Sequence, residues 1–358
     1  MKDITKDPFE EYIKNLPPTK KELGQAWKAA IGLQDVDGLK PSEYLYETAK
    51  KNIDGEISVH EAGELIDSYY ENKEGRTDEE ARTEEADKVS ARIAKLLSDK
   101  AFTFSPAQYL SIHRELFLGI YPHAGKIRDY NITKKEWVLD GDTVSYGRAL
   151  ELRETLDYDF SREKGFSYGG LTMDETIHHL ALFVSELWQI HVFGEGNTRT
   201  TAVFFIKYMR MLGFDVENDL FAEHSWYFRN ALVRANYTNI KAGIYETTEF
   251  LEKFLRNLLL DERHELHNRE MHVSGKFLLG QVDPINDPIN DPIKLDERES
   301  QILDLLREEA GLTRKEMGKR LGCSEATIKR CLQSMVRKGI IKRIGSNKKG
   351  EWIILKSE

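Results

Sequence analysis

Apolar residues recur at helical spacing through most of the chain. In one window they stand three or four positions apart, at Ile177, Leu180, Ala181, Val184, Leu187 and Trp188. This spacing predicts a helix with one buried face. A second helix is predicted between Thr200 and Gly213, because the apolar spacing resumes there and a glycine follows it. Residues 88–266 as a whole predict an all-α domain.

One stretch, residues 130–146, departs from this helical pattern. Trp137, Val138 and Leu139 lead into Asp140-Gly141, and a second short run of strand formers follows. Asp-Gly between two such runs is a signal for a hairpin turn. We therefore expect one β-hairpin in an otherwise helical domain.

The chain is predicted to contain four regions. Residues 1–75 form a small helical unit with helices at 43–53 and about 59–72, and residues 76–281 form the main helical domain. Residues 282–294 contain three Asp-Pro-Ile repeats, and proline disfavours helix before it and cannot donate to a sheet, so this stretch is expected to be an extended linker. Residues 295–358 form a separate C-terminal domain.

The C-terminal domain has its own pattern and charge. Three predicted helices, at 297–309, 313–320 and 324–338, precede two short strands, which resembles a winged helix-turn-helix domain. From position 294 onward there are 16 Lys and Arg against 10 Asp and Glu, a net charge of +6 in a chain whose net charge is −9. A basic module on an acidic body favours double-stranded DNA as a partner, with Lys329 and Arg330 on the recognition helix and Lys348 and Lys349 on the wing. Protein contacts or dimerisation through the same domain are the alternative.

The apolar runs of the sequence bear on membrane association and on where the protein is located. No apolar run approaches the roughly 20 residues of a membrane span, and the N-terminal residues lack the apolar stretch of a signal peptide. We therefore expect a cytoplasmic protein with no membrane association, and self-association stays open.

The residues that carry the most chemistry are His191 to Thr200, in sequence HVFGEGNTRT. They fall between the two predicted helices described first, so the glycines and Asn197 lie at the start of the second helix. Unpaired backbone N–H groups and the helix dipole favour anions at such a position. A phosphate group is therefore a plausible ligand of this loop.

The loop resembles the signature of the Fic family, His-x-Phe-x-(Asp/Glu)-Gly-Asn-Gly-Arg-x-x-Arg. Six of its eight defined positions match, namely His191, Phe193, Glu195, Gly196, Asn197 and Arg199. Two depart, with Thr198 in place of glycine and Ala202 in place of the last arginine. The similarity implies an all-α Fic domain with a β-hairpin flap.

The resemblance also implies an activity, the transfer of AMP from ATP to a Ser, Thr or Tyr hydroxyl of a target protein. His191 would be the general base, and Glu195 would hold Mg²⁺. The flap would align the target segment as an added strand. The nucleotide would be bound by Gly194, Gly196, Asn197, Thr198 and Arg199, and the target segment by Ile132, Lys134 and Trp137.

The two departures leave the reaction open. Ala202 removes a cation that makes strong contacts to phosphate, and Thr198 adds bulk beside it. Doc toxins of the same superfamily also replace that glycine, and they phosphorylate their target. AMP transfer is therefore the first expectation. The alternatives are a transcriptional regulator that uses a catalytically weak Fic domain as a nucleotide sensor, and a Doc-like protein kinase.

The N-terminal region resembles the antitoxin helix that blocks the ATP site in many Fic proteins. That helix has the pattern (Ser/Thr)-x-x-x-Glu-(Gly/Asn), and the matching stretch runs from Lys50 to Gly55. Lys50 replaces the hydroxyl residue and Asp54 the glutamate. By resemblance Lys50 and Asp54 are inhibitory candidates, with an ordinary scaffold role as the alternative.

Overall fold

The computed structural model describes residues 8–71, 77–216, 219–274, 297–308, 311–337, 341–344 and 351–354. By its internal contacts the chain divides into two units, Met1–Gln281 and Val282–Glu358. The helices of the first unit are α1 (Pro8–Lys14), α2 (Pro18–Gly32), α3 (Glu43–Asp54), α4 (Val59–Glu71), α5 (Asp78–Ser98), α6 (Pro106–Phe117), α7 (Leu152–Lys164), α8 (Met173–Ile190), α9 (Asn197–Met211), α10 (Asp219–Glu223), α11 (Ser225–Ala235) and α12 (Glu249–Leu260). Short 3-10 helices lie at Leu33–Asp37, Trp137–Leu139, Ile240–Ala242 and Asn268–Met271.

Local sequence signals explain where the main helices begin. Helices α5 and α8 start with capping boxes, in which Thr77 pairs with Glu80 and Thr172 pairs with Glu175. Each box satisfies two backbone N–H groups that the helix itself leaves unpaired. Helix α9 differs, because no side chain caps it and its N-cap is Gly196. The backbone amides at its start therefore remain available.

The core of the first unit is continuous from α1 to the 3-10 helix at Asn268–Met271. Helix α9 lies at its centre, and every residue from Asn197 to Met209 is buried. Helix α8 buries the apolar face that its spacing predicts. Residues 8–71 share this core with the rest of the unit, since Trp27, Leu45 and Ile66 belong to the same cluster.

The predicted β-hairpin at residues 130–146 is not formed. The turn is present, and Asp140 and Gly141 both adopt left-handed backbone angles. However, residues 137–139 wind into a 3-10 turn, and the amide of Lys134 donates to the Thr143 hydroxyl instead of to a backbone carbonyl. The strand ladder therefore stops after the Glu136–Asp142 hydrogen bond, 2.9 Å long, and no strand occurs among the described residues of the first unit.

The second unit has the element order of a winged helix. It contains α13 (Glu297–Glu308), α14 (Arg314–Arg320), α15 (Glu325–Arg337), β1 (Ile341–Ile344) and β2 (Glu351–Ile354). The strands pair antiparallel, with Ile341 opposite Ile354. A small separate core holds them, centred on Ile302, Met317 and Ile328. None of the described helices in either unit is long and apolar enough to cross a membrane.

Candidate functional site

The loop from His191 to Gly196 joins α8 to α9 and depends on two left-handed residues. His191 ends α8 with a φ of 49°, and Gly196 precedes α9 with a φ of 74°. A Cβ atom at Gly196 would lie 2.4 Å from the ring of Phe117, so only glycine fits. The start of α9 therefore packs directly against Phe117, the last residue of α6.

His191 is a neutral imidazole that can accept a proton at Nε2. Its Nδ1 lies 3.1 Å from the Trp188 carbonyl oxygen, and a carbonyl only accepts, so Nδ1 carries the hydrogen and the Nε2 lone pair is free. Burial, and then the charge of Lys134, hold the pKa of His191 well below its usual value of 6.5. The side chain is 3% exposed, and the Tyr146 ring covers it at 4.2 Å between centroids.

Glu195 is the exposed carboxylate of the loop. Every other residue from His191 to Thr200 is buried, whereas the Glu195 side chain is 55% exposed. Its Oε2 atom lies 2.9 Å from Nζ of Lys134, whose side chain is 29% exposed. The predicted metal ligand and the predicted flap lysine are therefore brought together as an ion pair.

The side chains of Asn197 and Thr198 are turned inward. The Asn197 amide accepts from the Phe193 N–H and donates to the Phe193 carbonyl, at 3.0 and 2.8 Å, which closes the loop on itself. The Thr198 hydroxyl accepts a hydrogen bond from the Trp188 indole at 3.0 Å. Gly194 is also enclosed, since a Cβ there would lie 2.4 Å from the Tyr130 hydroxyl oxygen. What these residues can offer an anion is therefore backbone N–H groups.

Arg199 is the centre of a buried polar cluster. It is 1% exposed, its Nε lies 2.8 Å from Oδ2 of Asp37, and its Nη2 lies 2.6 Å from Oε1 of Glu85. Its Nη1 donates to the Gln34 side chain at 3.0 Å, and its guanidinium stacks on Phe117. The guanidinium thus binds protein groups here, and its predicted contact with phosphate would require their release.

Two residues that the sequence interpretation missed hold the loop in place. Arg128 donates to the carbonyl oxygens of His191, Tyr130 and Gly147, at 2.7, 2.5 and 2.5 Å. His113 accepts from the Gly125 N–H at 2.8 Å, so its Nε2 carries the hydrogen and donates to the Glu195 carbonyl at 3.0 Å. The only sequence signal for either was the position of Arg128 in the lead into residues 130–146.

The other predicted flap residues lie near the loop but differ in role. Ile132 is half-buried, and Trp137 packs edge-on against the His272 ring at 4.7 Å and so faces the core. Between them, Glu136 is buried and pairs with Arg229 of α11 at 2.7 Å. It also accepts from the hydroxyl of Tyr146, the residue that covers His191.

Lys50 and Asp54 lie on α3 and contact the first two helices. Asp54 pairs with Lys20 of α2 at 2.9 Å, and Nζ of Lys50 lies 5.6 Å from the centre of the Tyr12 ring. From the N-terminal region, the acid that reaches the loop arginine is Asp37. The inhibitory role of Lys50 and Asp54 stays a prediction.

The candidate nucleic-acid residues divide between described and undescribed positions. Lys329 and Arg330 are exposed on α15, whose first turn is capped by Ser324 through a hydrogen bond from the Thr327 N–H at 3.2 Å. Lys329 also lines a groove of about 380 Å³ that contains Arg314 and Arg343. Lys348 and Lys349 lie outside the described residues.

We predict that Arg199→Met lowers the free energy of unfolding by about 3 kcal/mol, because removal of one partner of a buried ion pair leaves the others uncompensated. The control is Lys20→Met, which breaks the exposed pair with Asp54 and should lower it by less than about 1 kcal/mol. Urea unfolding of both variants measures the difference. Equal losses would contradict a structural role for the Arg199 cluster.

We predict that the buried side chain of His113 makes the stability of the protein depend on pH. Burial lowers its pKa to about 4, so below pH 6.5 the unfolded chain binds a proton that the folded chain does not. The contribution of this pKa difference to the free energy of unfolding is fully present above pH 6.5. It is lost as the pH falls toward 4, by about 3 kcal/mol in total. The free energy of unfolding should therefore fall less steeply between pH 7 and pH 4 in His113→Gln than in the unchanged protein. Parallel curves of free energy against pH would refute this.

Two family models match the chain. Residues 103–209 match the Fic/DOC family, and residues 295–342 match the winged helix-turn-helix DNA-binding family. No curated protein shows a significant match to the chain.

Several solved structures resemble the chain at low sequence identity. The N-terminal FIC domain of a VirB-translocated effector protein from Bartonella sp. 1-1C is 17% identical, with a TM-score of 0.41, and the match covers 52% of this chain and 88% of that one. The corresponding domain from Bartonella sp. AR 15-3 is 18% identical, with a TM-score of 0.39, covering 49% and 82%. A Fic family protein from Desulfovibrio desulfuricans G20 is 12% identical, with a TM-score of 0.42, covering 99% and 98%.

The family matches fall on the two units whose geometry is described above. The first contains α6 to α9 with the loop at 191–196, and the second contains α13 to α15 and β1. The protein is a Fic/DOC-domain protein with a C-terminal winged helix-turn-helix domain.

Proposed function

We propose that the first unit transfers AMP from ATP to a hydroxyl side chain of a target protein. The observation that carries this proposal is the state of His191, a neutral imidazole with a free Nε2 beside the uncapped start of α9. A base next to backbone amides that favour anions is the arrangement that phosphate-group transfer to a hydroxyl requires.

His191 would take the proton of the target hydroxyl as its oxygen attacks the α phosphorus of ATP, and pyrophosphate would leave as the bond from the α phosphorus to the bridging oxygen breaks. Its depressed pKa keeps Nε2 unprotonated at neutral pH, and the Nδ1 hydrogen bond to Trp188 fixes the ring and its tautomer. Because the Tyr146 ring covers the imidazole, a target hydroxyl would reach it only once that ring has turned aside. The base is thereby shielded from water until the target is bound.

Glu195 fits the role of a magnesium ligand. Mg²⁺ usually binds one or two carboxylates together with substrate phosphates, and Glu195 is an exposed carboxylate at the mouth of the loop. Within the described ranges, no group of three His, Cys, Asp or Glu side chains is placed to hold a metal. A bound Mg²⁺ would therefore rest on Glu195 and the nucleotide, and it would neutralise phosphate charge.

Two features favour the alternative, a regulator that uses the domain as a nucleotide sensor. Ala202 is fully buried and uncharged, and Arg199 is held by Asp37 and Glu85. Both features remove cations from the phosphate end of the site, which lowers affinity for the transition state. A Doc-like kinase would instead bind the nucleotide in reverse, transfer the γ phosphoryl group to the hydroxyl and release ADP.

An ATP-labelling experiment separates these activities. We expect label from the α phosphate to appear on protein when the purified chain, Mg²⁺ and cell extract are combined, and we expect it to disappear in His191→Ala. Label from the γ phosphate alone would instead indicate phosphorylation. The matched control is His178→Ala, since His178 is an exposed histidine of α8 that pairs with Glu252. If neither label depends on His191 with Mg²⁺ or Mn²⁺, the enzyme proposal is wrong.

We further propose that the winged helix-turn-helix domain binds double-stranded DNA. Arg330 is exposed on α15, the recognition helix, and Lys329 shares its groove with Arg314 and Arg343. Cations at such positions contact phosphates and position the helix, which then reads base edges. DNA binding in a chain with a nucleotide site would suit regulation of its own promoter.

The salt dependence of binding tests this second proposal. Affinity of the full chain for duplex DNA from its own upstream region should fall as salt rises, because phosphate contacts release counterions. Lys329→Ala and Arg330→Ala should each reduce the slope of log affinity against log salt by about 1. Lys241→Ala, at an exposed lysine of the first unit, should leave the slope unchanged. Affinity that is independent of salt would contradict the proposal.

A further inference from the structure

Neither position of α9 where the Fic signature has an arginine offers a cation that is available to a phosphate. Position 202 of α9 is an alanine, and the Arg199 guanidinium is held by Asp37, Glu85 and Gln34. An uncapped helix start binds a phosphate through its amides, but a nucleotide carries several negative charges. Another positive group is needed.

Three cations contact the loop or the segment that covers it, namely Lys134, Arg229 and Arg128. Arg128 donates to backbone carbonyls, and Arg229 is paired with the buried carboxylate of Glu136. Lys134 differs, since it pairs with the half-exposed carboxylate of Glu195. Of the three, Lys134 is the cation that can be released without breaking a buried interaction.

We propose that Lys134 is a phosphate-binding residue of this site, supplying from residues 130–146 the charge that Ala202 and the occupied Arg199 do not. Its ammonium leaves Glu195 when nucleotide enters and binds a phosphate oxygen, and Glu195 is then free to bind the divalent cation. This inference rests on the proposed nucleotide-dependent function.

The exchange of partners keeps every charge paired. Before binding, Lys134 neutralises Glu195 at 2.9 Å; after it, Lys134 faces phosphate and Glu195 faces the metal. A partly exposed ion pair contributes little to stability, so its loss is a small barrier to binding. Lysine suits this role, because its ammonium is a compact charge on a flexible stem.

The backbone around Lys134 is held in place while its side chain is free to turn. Arg128 binds the carbonyl oxygens of Tyr130 and Gly147, one at each end of the segment, together with that of His191 in the loop. The Lys134 N–H is bonded to the Thr143 hydroxyl. The Nζ atom of Lys134 therefore lies at the exposed end of the loop, beside Glu195, and only the Lys134 side chain has to move when phosphate binds.

Equilibrium binding of a non-transferable ATP analogue, α,β-methylene-ATP with Mg²⁺, to the full chain tests the inference. Lys134→Gln should bind about tenfold more weakly than the unchanged protein, the loss expected for one charge-assisted phosphate contact. Lys134→Arg should bind within about threefold of it, because the charge is retained. Lys135→Gln is the matched control at an adjacent exposed lysine and should bind normally.

The outcomes separate this inference from the proposed function. If the unchanged protein binds the analogue and Lys134→Gln binds it equally or more tightly, the inference is overturned and the proposed function survives. If the unchanged protein binds no nucleotide, both are overturned. As a second measurement, affinity should depend less on salt in Lys134→Gln than in the unchanged protein; equal dependence also counts against the inference. Thermal unfolding should show that Lys134→Gln is folded, because the lost pair is partly exposed.

Discussion

The buried guanidinium of Arg199 is the constraint on which the first unit depends. Arginine stays charged under all ordinary conditions, so a side chain that is 1% exposed must be paired or the fold is destabilised. Its partners come from the 3-10 helix Leu33–Asp37 and from α5, at sequence separations of 165 residues for Gln34 and 114 for Glu85. Satisfying this one group therefore fixes the N-terminal helices and α5 against α9. The described residues 8–71 also share the apolar core of the domain that carries the candidate site.

The same demand for paired polar groups shapes the loop. Asn197 closes the loop on Phe193, Thr198 accepts from Trp188, and His113 supports the Glu195 carbonyl. These side chains are engaged inside the protein, and the groups of the loop that remain for chemistry are Nε2 of His191 and the Glu195 carboxylate, which is paired with Lys134. Thr198 is thus no defect in the motif, because its hydroxyl satisfies the buried indole N–H of Trp188 that a glycine would leave unpaired.

Features set by local sequence were predictable, and features set by distant contacts were not. Helix α3 spans Glu43–Asp54 and α4 spans Val59–Glu71, close to prediction, since spacing and caps are local signals. The turn at Asp140-Gly141 was also predicted, but the ladder beside it was wrong. Residues 137–139 wind into a 3-10 turn and the Lys134 amide bonds the Thr143 hydroxyl, and neither feature has a signal in the alternation of the sequence around the turn. The motif places His191 and Glu195 in the loop before α9, where the structure also has them, and their roles stay predictions. The partners of Arg199 lie in stretches to which the sequence interpretation assigned no function.

The structure also gives a physical meaning to the departure at position 202. Ala202 is completely buried in α9, so an arginine there would have to place its charge within a packed core or force α9 away from its neighbours. Positive charge for a phosphate therefore has to reach the site from outside the helix. Residues 130–146 are the segment that crosses the loop, and Lys134 is the cation they bring to it. Under the proposed function, the charge that the family signature places on α9 would be supplied by the segment that also covers His191, so that phosphate binding and access to His191 would depend on the same piece of backbone.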